Sequence, residues 1–433
     1  MSNKEKSPAE SSGGPALVPK LRFPEFREAG EWKPVSLRRA SVPVDESVGE
    51  RKLTPVSISA GTGFVPQAEK FGRDISGNQY QRYTLVRDGD FVFNKGNSLK
   101  FPQGCIYLLQ GWGQVAAPNV FIAFRLKEGY SNGFFQNCFE QNQHGKQLKK
   151  HITSGARSNG LLNISKDTFF GIEIPTPPLP EQQKIADCLT SVDELITLEA
   201  QKLGTLKTHK KGLMQQLFPR TGETQPRLRF PEFQDVGEWE IDKLDDLFHF
   251  QDGFAFSSTD FVKANEHATQ VIRITDINNK NTNEDKVYVS NAFLASNKLQ
   301  KYFVENGDLL LSLTGAAGFN FFFWNGERAL INQRTAKIMP KRKSDPSTAR
   351  LLERMVHEKI NARGEGQNNN LSKEFLSTVT LLLPKLAEQQ RIADCLTSLD
   401  DLIAAETLKL DTLKTHKRGL MQQLFPSIGE DDA

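Results

Sequence analysis

The sequence lacks the marks of several common classes of protein. Its 433 residues contain no apolar run of the roughly 18–20 residues that a membrane-spanning helix needs. The phosphate-binding motif GxxxxGK, the dinucleotide motif GxGxxG, the metalloprotease motif HExxH and the hydrolase motif GxSxG are absent, as is the Asn-Pro-Pro-aromatic signature of adenine methyltransferases. These absences argue against catalysis by this chain alone.

Cysteine and histidine are scarce and scattered. No CxxC spacing and no clustered Cys/His pattern occurs, so we expect no metal site. We expect reduced, buried thiols at Cys105, Cys138, Cys188 and Cys395. The polar start MSNKEKSPAESSGG has no apolar core and predicts a disordered tail rather than a secretory signal, which favours a cytoplasmic protein. The net charge of +3 permits nucleic-acid binding without indicating it.

The sequence contains a long internal repeat. Residues 181–219 and 388–426 are identical at 30 of 39 positions, at an offset of 207. The same offset relates LRFPEF at Leu21–Phe26 to LRFPEF at Leu228–Phe233, and it relates two GEW motifs. A period of this length is far above the roughly 20–50 residues of a solenoid unit. We therefore predict a duplicated domain-plus-helix with pseudo-twofold symmetry.

Each 39-residue block predicts a helix of roughly 58 Å, bounded by prolines. Its apolar residues follow the spacing of a coiled-coil seam, which Glu199 and Lys210 interrupt. The predicted seam, which we also expect to dock partners, comprises Ile185, Leu189, Val192, Ile196, Leu203, Leu206, Ile392, Leu396, Leu399, Ile403, Leu410 and Leu413. Acidic residues precede basic ones in both copies, which favours an antiparallel pair over a solvated surface pattern. The basic ends THKK and THKR are candidates for phosphate contact or solvated helix ends.

The segments between the repeats diverge. Short β-like runs such as YTLVRDGDFVFNK, NVFIAFRL and TAKIMP predict mixed α/β domains. Gly89-Asp90 and Gly307-Asp308 each predict a turn followed by a strand. The aromatic run from Phe319 to Trp324 favours a buried strand over a base-stacking platform.

Polar, glycine-rich loops punctuate these segments and carry the side chains that contact base edges and phosphates. The candidate DNA-binding residues are Lys95, Asn97, Arg157, Asn159, Thr314, Gln333, Arg334, Gln367, Asn368 and Asn369. Such loops are also ordinary turns, so alone they argue only weakly for DNA binding.

Several motifs resemble those of a known family. PLPEQQKIADCL from Pro178 and LAEQQRIADCL from Leu386 resemble the conserved helical regions of the specificity (S) subunit of type I restriction-modification systems. LRFPEF…GEW, QDGFAFSS (Gln251–Ser258) and VIRITDI (Val271–Ile277) are similar to the entry to its target recognition domains. The resemblance spans residues 19–427, although the first domain lacks a clear GFAFSS-like stretch.

The resemblance implies a non-catalytic subunit whose two target recognition domains each read half of a split DNA site. The two helices would act as a spacer and dock two methyltransferase (M) subunits. This chain would bind no cofactor itself, since the M subunits bring S-adenosylmethionine and motor-nuclease (R) subunits bring ATP and Mg²⁺. The alternatives are a two-domain coiled-coil scaffold that binds no DNA and a self-contained nuclease or methylase, which the missing motifs disfavour.

We thus predict an α+β protein with two mixed α/β domains joined by two long antiparallel helices. The predicted parts are a disordered tail (1–18), target recognition domain 1 (19–178), a central helix and linker (179–226), target recognition domain 2 (227–383), a distal helix (384–427) and an acidic tail (428–433).

Overall fold

The computed structural model describes residues 17–96, 101–152, 162–220, 222–278, 286–296, 299–313, 321–341 and 373–426. The chain divides into two compact units: one combines Met1–Gln201 with Leu408–Ala433, and the other is Lys202–Thr407. Each unit therefore holds one divergent segment together with part of each repeated helix. Nearly all of the first predicted tail and all of the acidic tail lie outside the described residues.

The first unit folds around two four-stranded sheets and one two-stranded sheet. Its strands are β1 Lys33–Ser36, β2 Ser41–Pro43, β3 Thr54–Ser59, β4 Gly63–Pro66, β5 Thr84–Arg87, β6 Asp90–Asn94, β7 Cys105–Leu108, β8 Gln114–Ala117, β9 Ile122–Leu126 and β10 Glu173–Thr176. The helices are α1 Leu37–Ala40, α2 Gln67–Phe71, α3 Asn132–Glu140, α4 Gln143–Leu148, α5 Lys166–Phe170 and the long α6 Leu179–Gln216, which continues into the second unit. The order β2-β9-β6-β7 is antiparallel throughout, whereas β4-β3-β8-β5 contains the parallel pair β3–β8, and β1 pairs with β10.

The second unit contains eleven strands among its described residues. They are β11 Glu240–Lys243, β12 Phe248–Asp252, β13 Phe261–Val262, β14 Ala268–Ile272, β15 Val287–Ser290, β16 Phe303–Val304, β17 Leu309–Ser312, β18 Phe321–Phe323, β19 Ala329–Ile331, β20 Thr335–Pro340 and β21 Thr380–Leu383. Its helices are α7 Leu244–Leu247, α8 Ile274–Asn278, α9 Asn291–Ser296, α10 Lys373–Thr378 and the long α11 Leu386–Leu424, which ends in the first unit.

The two units share one topology although their sequences diverge. The antiparallel sheet β12-β20-β17-β18 repeats the order and directions of β2-β9-β6-β7. The sheet β13-β15-β14-β19-β16 repeats β4-β3-β8-β5, with the parallel pair β14–β19 in place of β3–β8 and the edge strand β13 added. Strand β11 pairs with β21 as β1 pairs with β10. The predicted α+β class and internal duplication are therefore confirmed, and the duplication extends through the divergent segments.

The predicted turns at the two Gly-Asp pairs are confirmed. Gly89 and Gly307 both have φ near 92°, a conformation that L side chains rarely adopt. The carboxylates of Asp90 and Asp308 each accept a hydrogen bond from the backbone amide three residues earlier, at 2.8 and 2.7 Å. Strands β6 and β17 begin at or directly after these aspartates. The same local chemistry therefore begins the same strand in both units.

The aromatic run of the second unit is a strand covered on both faces. Phe321 and Phe323 pack against one core cluster, and Phe322 and Trp324 belong to or pack against another. Their alternation follows the period of two residues that a strand imposes. These four side chains are thus part of the fold and form no free stacking platform, while Phe319 lies outside the described residues.

The core of the first unit includes the start of α6. Ile185 and Leu189 lie in one cluster with the phenylalanines of the sheet and with Phe425, which follows α11. A side chain added at Gly133 would come within 3.0 Å of Ala186 Cβ, so glycine allows α3 to pack closely against α6. The long helix is therefore an integral part of the first domain's core.

Replacing a core leucine of α6 should destabilise the first unit more than replacing an exposed one. We expect Leu189→Ala, at a fully buried position, to lower the free energy of unfolding by about 3 kcal/mol, through lost apolar burial and the cavity left behind. Leu195→Ala, six residues on and 50% exposed, should change it by less than about 0.5 kcal/mol. Urea unfolding followed by tryptophan fluorescence measures both, and equal effects would contradict the packing.

Candidate nucleic-acid interface and helix pairing

Within the first unit, the first half of α6 lies antiparallel to the end of α11. Lys417 Nζ lies 2.8 Å from a carboxylate oxygen of Asp193 and 3.3 Å from one of Glu140, and Lys409 forms an ion pair with Glu199. Burial alone would lower the pKa of Lys417, but the two carboxylates raise it above its ordinary value. The acidic part of one repeat therefore binds the basic part of the other.

The second unit repeats this pairing with the helices exchanged. Lys202 Nζ lies 2.5 Å from Glu406, and Lys210 pairs with Asp400. Each pair corresponds to one in the first unit at the offset of 207. The predicted antiparallel pairing is thus confirmed in both units. Glu199 and Lys210, which interrupt the apolar seam in the sequence, each bind the opposite helix: Glu199 binds Lys409 in the first unit, and Lys210 binds Asp400 in the second.

A buried ion pair joins each LRFPEF motif to the start of a long helix. Arg22 binds Glu181 through two hydrogen bonds of 2.7 Å, and Arg229 binds Glu388 through two bonds of 2.8 and 2.7 Å. All four side chains are at most 8% exposed. The indole of Trp32 also donates to Glu181, at 3.3 Å. The two motifs that recur at a fixed offset therefore bind each other in both units.

The same motif meets the end of the other long helix. The amide of Leu21 donates to the carbonyl of Gln423 at 2.9 Å in the first unit. The amide of Leu228 donates to the carbonyl of Gln216 at 3.0 Å in the second. Each entry motif thus ties together the start of one helix and the end of the other.

The predicted seam is buried to different degrees. The buried members are Ile185, Leu189, Leu203, Ile392 and Leu410. The half-buried members are Val192, Ile196, Leu206, Leu396, Leu399, Ile403 and Leu413. The leucines that face solvent on these helices are instead Leu195, Leu198, Leu386, Leu402 and Leu408. The seam packs against the chain itself, so a partner would meet the exposed leucines first, and docking through the seam stays a prediction.

Three of the ten predicted DNA-binding residues lie in described parts of the chain. Lys95 directly follows β6, is half-buried, and accepts a hydrogen bond at its carbonyl from the amide of Leu162, at 2.8 Å. Gln333 and Arg334 form the exposed tip of the turn between β19 and β20. The other seven, Asn97, Arg157, Asn159, Thr314, Gln367, Asn368 and Asn369, lie outside the described residues. Contact of any of the ten with DNA stays a prediction.

The β19–β20 turn has a defined backbone. The amide of Thr335 donates to the carbonyl of Asn332 at 2.8 Å, which closes the turn. The amide of Leu313, just after β17, donates to the carbonyl of Arg334 at 2.9 Å. The turn and the end of β17 therefore form one edge of the antiparallel sheet, at which the Gln333 and Arg334 side chains face solvent.

Sequence reasoning missed the corresponding turn in the first unit. The β8–β9 connection is closed by a 3.2 Å bond from the amide of Phe121 to the carbonyl of Pro118, and its tip is Asn119 and Val120, both exposed. It contains no charged residue and no glycine, so composition alone does not mark it. Only the shared strand order identifies it as the counterpart of the β19–β20 turn.

Helix α4 is fixed beneath the end of β6. Gln147 exchanges two hydrogen bonds with the backbone of Glu173, at 2.6 and 2.9 Å. His144 packs edge-on against Phe93 of β6, with ring centroids 6.2 Å apart, and burial lowers the pKa of His144 to about 4. The helix is therefore held by a neutral histidine and a backbone clamp.

The outer face of this segment is basic. Lys146, Lys149 and Lys150 are exposed, and none has an acidic partner among the described residues. They stand just before residue 153, where the described part of this segment ends, and the described chain resumes at Leu162, whose amide donates to the carbonyl of Lys95. The sequence analysis did not single out these lysines, and it is the burial of Gln143, His144, Gly145 and Leu148 that shows they share one exposed face.

The GFAFSS stretch of the second unit is a structural element. Phe254 and Phe256 contact each other, with ring centroids 4.9 Å apart, and both belong to or pack against a core cluster. In the first unit, the chain that follows β2 instead carries Glu46, which forms ion pairs with Arg51 and Arg87. A charged cluster therefore stands in the first unit where the second has an aromatic one.

The described residues contain no cluster of histidine, cysteine or carboxylate side chains that could hold a metal ion. Nor does any helix among them have the length and apolarity to cross a membrane. All four cysteines are free thiols. Cys105 and Cys138 are buried as expected, but Cys188 and Cys395 are only half-buried, because they lie on partly solvated flanks of the long helices.

Comparison with known sequences identifies the family. The sequence model of the type I restriction modification DNA specificity domain matches residues 79–208 and 237–415, well over half of the chain. The chain therefore belongs to this family. It is 26% identical over 296 residues to the specificity subunit of the type I restriction enzyme MjaVIII of Methanocaldococcus jannaschii, which covers 65% of this chain and 67% of that protein. It is 25% identical over 363 residues to a subunit assigned to MjaX of the same organism, 81% of each chain.

Two solved structures share the fold. The S subunit of a type I restriction-modification system from M. genitalium aligns with a TM-score of 0.58 and 12% identity, over 95% of this chain and all of that one. A chain from a structure of type I complex assembly and conformational transition aligns with a TM-score of 0.53 and 18% identity, over 92% and 98%. At this identity the likeness concerns the fold alone.

Reversing one charge of the helix pair should destabilise it, and reversing both should restore it. We expect Lys417→Glu to lower the melting temperature, because it places three carboxylates together at a partly buried site. Asp193→Lys combined with Lys417→Glu should recover part of the loss, since the Asp193–Lys417 attraction is re-formed in the opposite sense. Thermal unfolding of the single and double variants measures the coupling. Purely additive losses would contradict a direct interaction.

Proposed function

We propose that this chain is the non-catalytic subunit that selects the DNA sequence in a type I restriction-modification complex. The globular domain of the first unit reads one half of a bipartite site, and that of the second unit reads the other half. The helix pair sets the distance between the half-sites and docks methyltransferase subunits.

One observation carries this proposal: two units repeat the same strand order and the same helix contacts, yet carry different residues at their exposed turns. A constant frame with variable tips suits two readers of different half-sites. Two identical adaptors would need no divergence, and a catalytic domain would need a cluster of reactive groups. Family membership agrees with this division of labour.

The repeated helices suit a partner present in two copies. Equivalent leucines, Leu195 and Leu402, are exposed at the offset of 207, so each copy of one partner would meet the same apolar anchor. On this proposal the partners are double-stranded DNA, two methyltransferase subunits and motor-nuclease subunits. S-adenosylmethionine would be bound by the methyltransferase, and ATP and Mg²⁺ by the motor-nuclease subunits.

Exchange of one domain tests the proposal directly. Residues 247–367 would be replaced by the corresponding segment of another family member, and host-genome methylation would be profiled with the native and exchanged chains. We expect one half-site to change while the other half-site and the gap remain. A change in both half-sites would contradict modular reading. Equal binding of the native complex to all duplexes would favour the scaffold alternative.

The lysines of the α4 segment should contribute phosphate contacts. The triple variant Lys146→Ala, Lys149→Ala, Lys150→Ala should weaken DNA binding whatever the sequence and reduce the slope of log K against log salt by about 0.9 for each phosphate that is no longer neutralised. The matched control Lys20→Ala, Arg27→Ala, Lys33→Ala removes three charges from the entry segment and should leave the slope nearly unchanged. Salt titrations of the assembled complex with the methyltransferase give both slopes, and equal slopes would exclude the α4 segment as a phosphate-binding surface.

A further inference from the structure

The β8–β9 turn of the first unit occupies the same place as the β19–β20 turn of the second. Phe91 of β6 pairs with Phe124 of β9, and Leu309 of β17 pairs with Ile338 of β20. Phe124 of β9 is thus equivalent to Ile338 of β20. Five and four residues before them stand Asn119 and Val120 in the first unit and Gln333 and Arg334 in the second. The two turns are therefore equivalent in register as well as in strand order.

The residue that follows β6 is equivalent to the one that follows β17, and the second tip residue of each turn is equivalent to that of the other. The basic and the aliphatic residue have changed places between the two units. In the first unit the paired register ends with Phe93 and Ile122, and counting two residues beyond that pair on each strand gives Lys95 and Val120. In the second unit the same two places hold Leu313 and Arg334, which are joined by a backbone hydrogen bond. Each edge thus carries one basic and one aliphatic residue, but on opposite strands.

The frame beneath these positions is buried and apolar in both units. Phe93 and Ile122 are at most 3% exposed in the first unit, and Leu311 and Ala336 are fully buried in the second. Val120, by contrast, is 37% exposed at the tip of its turn. Its burial contributes little to the fold, so the side chain stays accessible to a partner that meets this turn.

We propose that Asn119 and Val120 read an adenine–thymine feature in the half-site of the first domain, with Val120 contacting the thymine methyl group in the major groove. This inference rests on the proposed function. Asparagine matches the N6 and N7 edge of adenine, and an aliphatic side chain matches the thymine methyl. At the matching place of the second domain, Gln333 suits adenine and Arg334 suits the O6 and N7 edge of guanine. Two domains with the same backbone fold would then recognise different half-sites because their tip residues differ.

The test removes the methyl group from the DNA and the side chain from the protein. The bipartite site is first identified by methylation profiling, and duplexes are then made with deoxyuridine in place of each thymine in turn. Binding by the complete complex of this chain with its methyltransferase is measured for the native protein and for Val120→Ala. We expect the native complex to lose affinity about three- to five-fold at one thymine of one half-site, the worth of one buried methyl group. Val120→Ala should bind the two duplexes equally, and Val120→Ile should restore the difference.

Trp112→Ala is the matched control. Trp112 is 40% exposed in the turn at the other end of β8, and its loss should leave the response to deoxyuridine unchanged. If no thymine responds in the native complex, or if Val120→Ala responds as the native chain does while site-specific modification persists, this inference alone is overturned. Absence of any sequence-specific binding by the native complex would instead contradict the proposed function and this inference with it.

Discussion

The rest of the molecule depends on one interaction: the acidic first half of each long helix attracts the basic second half of the other. Each unit contains the start of one long helix and the end of the other, joined by ion pairs such as Asp193–Lys417 and Glu406–Lys202. The parallel alternative would bring like charges together along the whole length of the pair, which is unfavourable even where solvent screens the charges. The charge pattern therefore selects the antiparallel direction, and with it the pairing of chain ends that completes each unit.

That pairing also completes the globular domains. Ile185 and Leu189 of α6, together with Leu424 and Phe425 at the end of α11, belong to the core cluster of the first unit. In the second unit Ile392 of α11 packs with Leu217 and Phe218, at the end of α6. A domain without its helix ends would expose these side chains. Arg22–Glu181 and Arg229–Glu388 hold the junctions, and their burial makes each partner costly to remove, because the other charge would be left unpaired.

Much of this architecture could be predicted from the sequence, because it depends on patterns that extend over many residues or on motifs of a few adjacent residues. The repeat of 39 residues predicted both helices, charge order predicted their direction, and the Gly-Asp pairs predicted turns that open strands. The shared topology of the divergent domains could not be predicted. Insertions shift the offset from 207 to about 214–218 within them, so that only the hydrogen-bond register aligns Val120 with Arg334. Glu199 and Lys210 looked like flaws in a seam because their partners lie some 190–210 residues away.

The candidate DNA-reading positions show why a site of this kind is only partly visible in a sequence. Polarity marks Gln333 and Arg334 as candidates, whereas Asn119 and Val120, at the equivalent turn, carry no charge and give no such signal. Substitution of a buried frame residue such as Phe93 or Ile122 costs several kcal/mol, whereas exchange at an exposed tip changes stability by at most about 0.5 kcal/mol. The tips are therefore free to diverge after duplication while the frame and helices are held. A tip residue that can change without loss of stability carries no mark of its function in the sequence. It can be proposed as a DNA-contacting residue only once the equivalent position in the other domain is known, and the three-dimensional structure supplies that equivalence.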